Sequence, residues 1–380
     1  MSELQSTFDK LKTSNKYREN AQILTVLLNM FSRTKKPIYK EDLAAITGFI
    51  FYEMKKLIDL IPKTSDYKMK DEIFGYSDKL MGFFMLIKEQ KCNVSEENLQ
   101  IIRNFTVTVA DAQVPETAIN KMFNFDKIEK SDAVNVLDIV KPLTNEFQRG
   151  KFYHGLLNYK EKTDKITDAA KNEIAEYICE EFERYLKKKD SLTKDEINNL
   201  EIASDVCKQF INNKTIVLLK KILFLKHNNI RYYAVETLLL NKQEIHADIV
   251  AEMAADLIYA DLTYSLLKRY GLSSLFPKEL SNPEYLAKSD MVHWLDYPTE
   301  LGKTPDAIEL IGNVKLKGDL YYIFKYKSDS DTLGGDLKNE WLIGWSSNNG
   351  GTFSHFDKLS LFEHKNPKKT LKNIRKKGRL

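Results

Sequence analysis

Glycine is placed so unevenly that it divides the chain before any other feature is read. Six of the fifteen glycines fall before residue 300, at Gly48, Gly75, Gly82, Gly150, Gly155 and Gly271, and eight fall in the fifty residues from Gly302 to Gly351. Proline is absent from residue 143 through 276. Glycine costs stability inside helices and serves turns between strands, so the texture changes from helical to strand-and-turn near residue 300. The expected build is mainly α: a helical body over residues 1–275, a small α+β domain over 276–364 and a basic tail over 365–380.

The helical period supports this division. Ile174, Tyr177, Ile178, Phe182, Tyr185 and Leu186 recur at helical spacing, with Glu and Lys on the other face. Thr193 and Glu196 form a capping box for the next helix. Further helices are expected to begin near 194, 214, 230, 246 and 260. The connections between them are short enough to make neighbours antiparallel. The segment Lys214 to Leu225 is apolar on most faces and is expected in the interior. Toward the N-terminus, helices are expected near 16–33, 40–61, 77–90, 95–112, 115–125 and 131–148, with loops marked by residues 63–66, Gly75 and Gly150.

The C-terminal part opens with a helix capped by Ser281, with Pro283 in its first turn and its end near Leu295. Strands are expected over 309–315, 319–327, 341–346 and 352–356, separated by Gly334-Gly335 and Asn349-Gly350-Gly351 turns. Residues 319–327 alternate Leu320, Tyr322, Phe324 and Tyr326 against Tyr321, Ile323 and Lys325, so both faces are largely apolar. An antiparallel sheet of three or four strands with one helix packed on it follows.

Residues 230–239 carry Arg231, Ala234 and Leu238. This run resembles the second half of a HEAT-like repeat, and the resemblance extends loosely over residues 193–271. It implies a HEAT-like α-solenoid with an extended binding surface; an irregular helical array is the alternative. Residues 40–60 resemble a helix-turn-helix, with Leu43 and Ala44 on a first helix, Gly48 at the turn, and Phe49, Met54 and Leu57 as packing positions of a second. Its groove-facing positions offer Lys55 and Lys56 to phosphates but no Asn, Gln or Arg to base edges.

Charge is localised. The net charge is +4, yet residues 365–380 hold eight basic and no acidic side chains, which leaves the preceding 364 residues at −4. A basic field over the whole protein is therefore excluded, and Lys368, Lys369, Lys372, Arg375, Lys376 and Lys377 are the tail's candidate phosphate contacts. No apolar run reaches the ~18 residues of a membrane span, and the N-terminus lacks the layout of a secretory signal, so the cytoplasm is the expected compartment.

No catalytic signature emerges. GxGxxG, GxxxxGKS/T and GxSxG are missing. Cys92, Cys179 and Cys207 suggest neither a disulfide framework nor a metal knuckle. His246, Asp248 and Glu252 share a helical face without completing a metal site, and Asp329, Asp331 and Asp336 do not have EF-hand spacing. Neither a cofactor nor a metal is implied. Recognition surfaces remain, and Trp294, Tyr297, Trp341 and Trp345 are their aromatic candidates. The sequence thus points to a non-catalytic interaction scaffold or adaptor with a protein partner. The alternative is nucleic-acid association through residues 40–60, the basic tail or both.

Overall fold

The structure is a computed structural model that describes residues 3–34, 38–89, 94–112, 137, 140–158, 167–188, 191–316, 318–347, 351–358 and 369. The chain is mainly helical, with a small antiparallel sheet near its C-terminal end. It divides into two compact units, residues 1–218 and 219–380.

The first unit holds α1 (Glu3–Thr13), α2 (Tyr17–Thr34), α3 (Lys40–Leu60), α4 (Tyr67–Glu89) and α5 (Glu96–Asp111), followed by α6 (Glu146–Asn158), α7 (Asp168–Lys188) and α8 (Lys194–Val206). The first five helices share one core, in which the Phe8 ring stacks on Phe49 at 4.4 Å and meets the edge of Phe83. The expected turn at Gly48 is not there, because residues 40–60 form one uninterrupted helix. Ile46, Phe49, Ile50, Met54 and Leu57 make a buried stripe that runs straight past the glycine. A turn at Gly48 would break that stripe, and its burial outweighs the ~1 kcal/mol helix penalty of one glycine. Gly75 likewise lies inside α4 rather than in a loop.

Around α6–α8 the core is partly ionic. Arg149 and Arg184 both reach Glu181, Arg184 also pairs with Glu146, and Tyr185 donates to Glu146 at 2.9 Å. Gly150, expected as a loop marker, sits within α6, where a Cβ would stand 2.4 Å from Asn199 Oδ1. The capping box of Thr193 and Glu196 forms as expected at the start of α8. The helix expected over 115–125 lies outside the described residues, as do 131–136, 138 and 139 of the one expected over 131–148; residues 141–145 of that segment are turn and coil, and 146–148 open α6 instead.

The second unit begins inside α9 (Asn213–Ile222) and continues through α10 (Asn228–Leu240), α11 (Ala247–Ala255), α12 (Ala260–Arg269) and α13 (Pro283–Asp296). The change of texture near residue 300 is thus a change of secondary structure within one compact unit. The cap of α13 is Asn282 rather than Ser281; its side chain accepts from the Tyr285 N–H at 2.8 Å and Pro283 opens the helix. Strands β1 (Ala307–Leu316), β2 (Asp319–Lys327), β3 (Leu342–Ser347) and β4 (Gly351–Lys358) form an antiparallel meander in chain order. Tyr322, Phe324, Tyr326 and Leu342 pack on Met291 and Leu295 of α13, while Ile323, Ile343 and Trp345 make a second cluster on the opposite face. Both faces of β2 are apolar, as the alternation predicts.

Candidate interaction site

The C-terminal end of α9 turns an aromatic ring into solvent. After Ile222 the backbone tightens: Phe224 N–H donates to Lys221 O at 3.1 Å and Leu225 N–H to Ile222 O at 2.9 Å. Such i→i+3 bonds bring side chains three apart into line. Leu225 therefore follows buried Ile222 inward, and Phe224 follows exposed Lys221 outward. Phe224 ends 69% exposed. Residues 214–225 are accordingly not wholly interior, as their apolar character suggested.

Phe224 forms one wall of a groove of about 210 Å³, with Leu223, Ile245 and Ile249 supplying apolar surface and Lys220, Glu244 and His246 completing it. Two ties fix the walls. Arg231, buried on α10, donates from Nε to the Leu223 carbonyl at 2.9 Å and pairs with Glu252 on α11 at 2.8 Å. Lys220 Nζ donates to Gln243 Oε1 at 2.9 Å across the rim. The α10–α11 connection is set by a left-handed residue, Lys242, at φ 56°. Gln243 N–H then reaches the Leu238 carbonyl at 2.9 Å and Lys242 N–H the Leu239 carbonyl at 3.0 Å, a Schellman closure. Sequence reasoning missed this groove. Its signal was the segment Lys214 to Leu225 itself, since a helix end apolar on most faces must leave some apolar group outside.

The aromatic candidates separate. Trp345 is core: it is 7% exposed, stacks against Phe353 and packs beside Ile323 and Ile343. Of the four aromatic candidates it is the one packed into the core, on the face of β3 turned away from α13. Trp341 is half-buried beneath two cations, Lys325 at 4.3 Å and Lys327 at 5.4 Å from the ring centre. Trp294 is half-buried and donates to Ser354 Oγ at 3.2 Å. Tyr297 is exposed, and its hydroxyl meets His293 Nε2 at 3.2 Å.

Trp294 and Tyr297 border a polar seam between α13 and the sheet. Ser346 donates to Asp290 Oδ2 at 2.7 Å, Thr352 donates to the same oxygen, and Ser354 donates to Glu300. Burial holds the His293 imidazole below its usual range, against the opposite pull of Asp290 and Asp296. Burial, reinforced by Asp290, raises the carboxyl of Asp261 on α12 to about 6. The bonds of Ser346 and Thr352 to Asp290, and of Trp294 to Ser354, tie α13 to β3 and β4, whereas His293 Nδ1 is buried without a partner among the described residues.

Of the predicted phosphate contacts, Lys55, Lys56 and Lys369 fall among the described residues. Lys55 is paired with Glu97 at 3.1 Å. Lys56 lies 3.9 Å from buried Glu53 and over the Tyr17 ring. Lys369 is exposed, while Lys368, Lys372, Arg375, Lys376 and Lys377 lie outside the described residues.

Several further titratable groups are paired. Lys303 bridges Asp306 and Asp329, and Lys338 reaches Asp331 at 2.6 Å, so lysines hold the carboxyls of Asp329 and Asp331 below their usual range. Glu252 is taken by Arg231 rather than by His246. Cys179 and Cys207 are buried thiols pushed up by that burial, and Cys92 lies outside the described residues. Among the described residues no group of three His, Cys, Asp or Glu side chains is arranged to hold a metal, and no helix is long and apolar enough to cross a membrane. No family model, curated protein or solved structure matches the chain.

Proposed function

We propose that this chain is a protein-interaction module, acting as a scaffold or adaptor that receives a segment of a partner in the α9–α11 groove. The observation that carries the reading is Phe224, 69% exposed beside a groove whose walls are tied together by Arg231 and Lys220. Covering an exposed aromatic ring contributes about 1–2 kcal/mol of hydrophobic free energy, and a preformed groove spends none of it on ordering its own walls. A second apolar row supports the reading. Ile23, Val26 and Met30 lie at one-face spacing on α2 and are all exposed. Trp294 and Tyr297, at the C-terminal end of α13, are offered as a further contact.

The test is affinity capture of the full chain from cells of its source, with wild type beside Phe224→Ser. A protein retained by wild type and lost with the variant supports the reading. Identical recovery with both sinks it. Nucleic acid as the retained species would favour association through the basic tail instead.

A further inference from the structure

We propose that the α9–α11 groove takes an acidic peptide that inserts one large apolar side chain; this rests on the interaction reading above and names the partner's chemistry. Size argues for one side chain. At about 210 Å³ the recess is smaller than the ~300 Å³ at which pockets for free small ligands begin. Its apolar lining, Leu223, Phe224, Ile245 and Ile249, suits a Leu, Met, Phe or Trp residue.

Charge around the recess argues for acidic neighbours. Lys220 is held at the rim by a neutral acceptor, Gln243, which fixes its position and leaves its charge uncompensated. Lys221, Lys226 and Lys242 are exposed on the same turns, and among the described residues none of them is matched to a carboxylate. Against these four cations the exposed carboxylates of the segment 220–248 are Glu244 and Asp248. The start of α11 adds to the field. His246 stands at its N-cap with no side-chain capping bond, directly beside Ile245 in the groove, so the N-cap residue supplies no side-chain acceptor to the first N–H groups of the helix. Open N–H groups at a helix N-terminus favour an anion, and a carboxylate flanking the inserted side chain meets both them and Lys220. The chain before its tail carries −4, so this positive patch is local, which suits a short acidic segment better than a nucleic-acid backbone.

The experiment is selection of a phage-displayed random peptide library on the full chain, followed by fluorescence anisotropy with the enriched peptides. Enriched sequences are expected to carry one large apolar residue with two or more Asp or Glu around it. Their affinity should fall about tenfold or more with Phe224→Ser. It should also fall several-fold with Lys220→Gln combined with Lys242→Gln, and as salt rises from about 50 to about 300 mM. All three positions are at the surface, so unchanged thermal melts will show that the variants are folded. Enriched peptides that need Phe224 but are neutral or basic, or that ignore salt, overturn the acidic partner and leave the interaction reading standing. A library that yields no Phe224-dependent peptide overturns both. A fluorescein-labelled single-stranded oligonucleotide that displaces the selected peptides from Phe224 overturns the peptide in favour of nucleic acid.

Discussion

Arg231 Nε donates to the carbonyl of Leu223 at 2.9 Å, so a buried side chain on α10 fixes the end of α9 one residue before Phe224. The same guanidinium holds Asn228 Oδ1 at 3.1 Å and Glu252 of α11 at 2.8 Å. One planar fork therefore spans three elements, a geometry that a lysine ammonium cannot reproduce. The groove owes its shape to this side chain, although Arg231 does not line it.

Replacing that fork should be felt at a distance. Arg231→Met leaves the Leu223 carbonyl without its buried donor, while half-exposed Glu252 rehydrates. The expected loss is about 1–3 kcal/mol of stability, read from urea denaturation. Arg231→Lys should recover only part of it. A groove that depends on Arg231 for shape also predicts weaker capture of any partner that Phe224 retains. Full stability in Arg231→Met would show that the clamp is incidental.

The Schellman closure after α10 uses Lys242 in the left-handed region, whereas the equivalent closure after α12 uses Gly271, at φ 72°. A side chain in that conformation costs about 1 kcal/mol that glycine avoids. Lys242→Gly should therefore raise the melting temperature by a few degrees, corresponding to up to about 1 kcal/mol. A fall instead would mean that the lysine side chain stabilises the turn by more than its backbone strain.

Much of the architecture was legible from local signals. The capping box of Thr193 and Glu196, the bounds of β2 and the apolar character of both its faces required only neighbours in sequence. Gly48 misled because the penalty that marks a turn is small beside a buried stripe made with α1, α4 and α5, and that stripe is a tertiary fact. The groove was illegible for a related reason. Whether Phe224 points in or out depends on a tightening of the last turn after Ile222, which shifts a side chain by a fraction of a turn and leaves no mark in composition.

Three glycines distinguish these readings in one set of melts. Gly48 in α3 and Gly75 in α4 have open space where a Cβ would stand, so Ala at either should stabilise by about 0.5–1 kcal/mol. A helix-turn-helix bend at Gly48 predicts the opposite sign there. Gly150 has Asn199 Oδ1 2.4 Å from its would-be Cβ, and Asn199 Nδ2 donates to the Glu146 carbonyl at 2.8 Å. Gly150→Ala must push this amide away from the α6–α7–α8 ionic core, and a loss of about 1–3 kcal/mol is expected. Stabilisation at all three positions would mean that Asn199 yields without cost.

Asp261 gives the fold a pH dependence of definite sign. Burial, and then the neighbouring Asp290, raise its carboxyl from an ordinary 3.8 to about 6. Asp290 cannot move away easily, because Ser346 and Thr352 both donate to its Oδ2. The folded chain therefore holds the Asp261 proton more tightly than the unfolded chain does. That contribution is complete below pH 3.8 and is lost as pH rises through about 6. Asp261→Asn keeps the shape and removes the charge, so it should be more stable than wild type near pH 7.5, by on the order of 2 kcal/mol. The advantage should vanish near pH 4, where wild-type Asp261 is itself neutral. Denaturant melts of both proteins across this range measure the difference directly. An advantage that is the same at both ends would place its origin in hydrogen bonding by the amide, not in the buried charge beside Asp290.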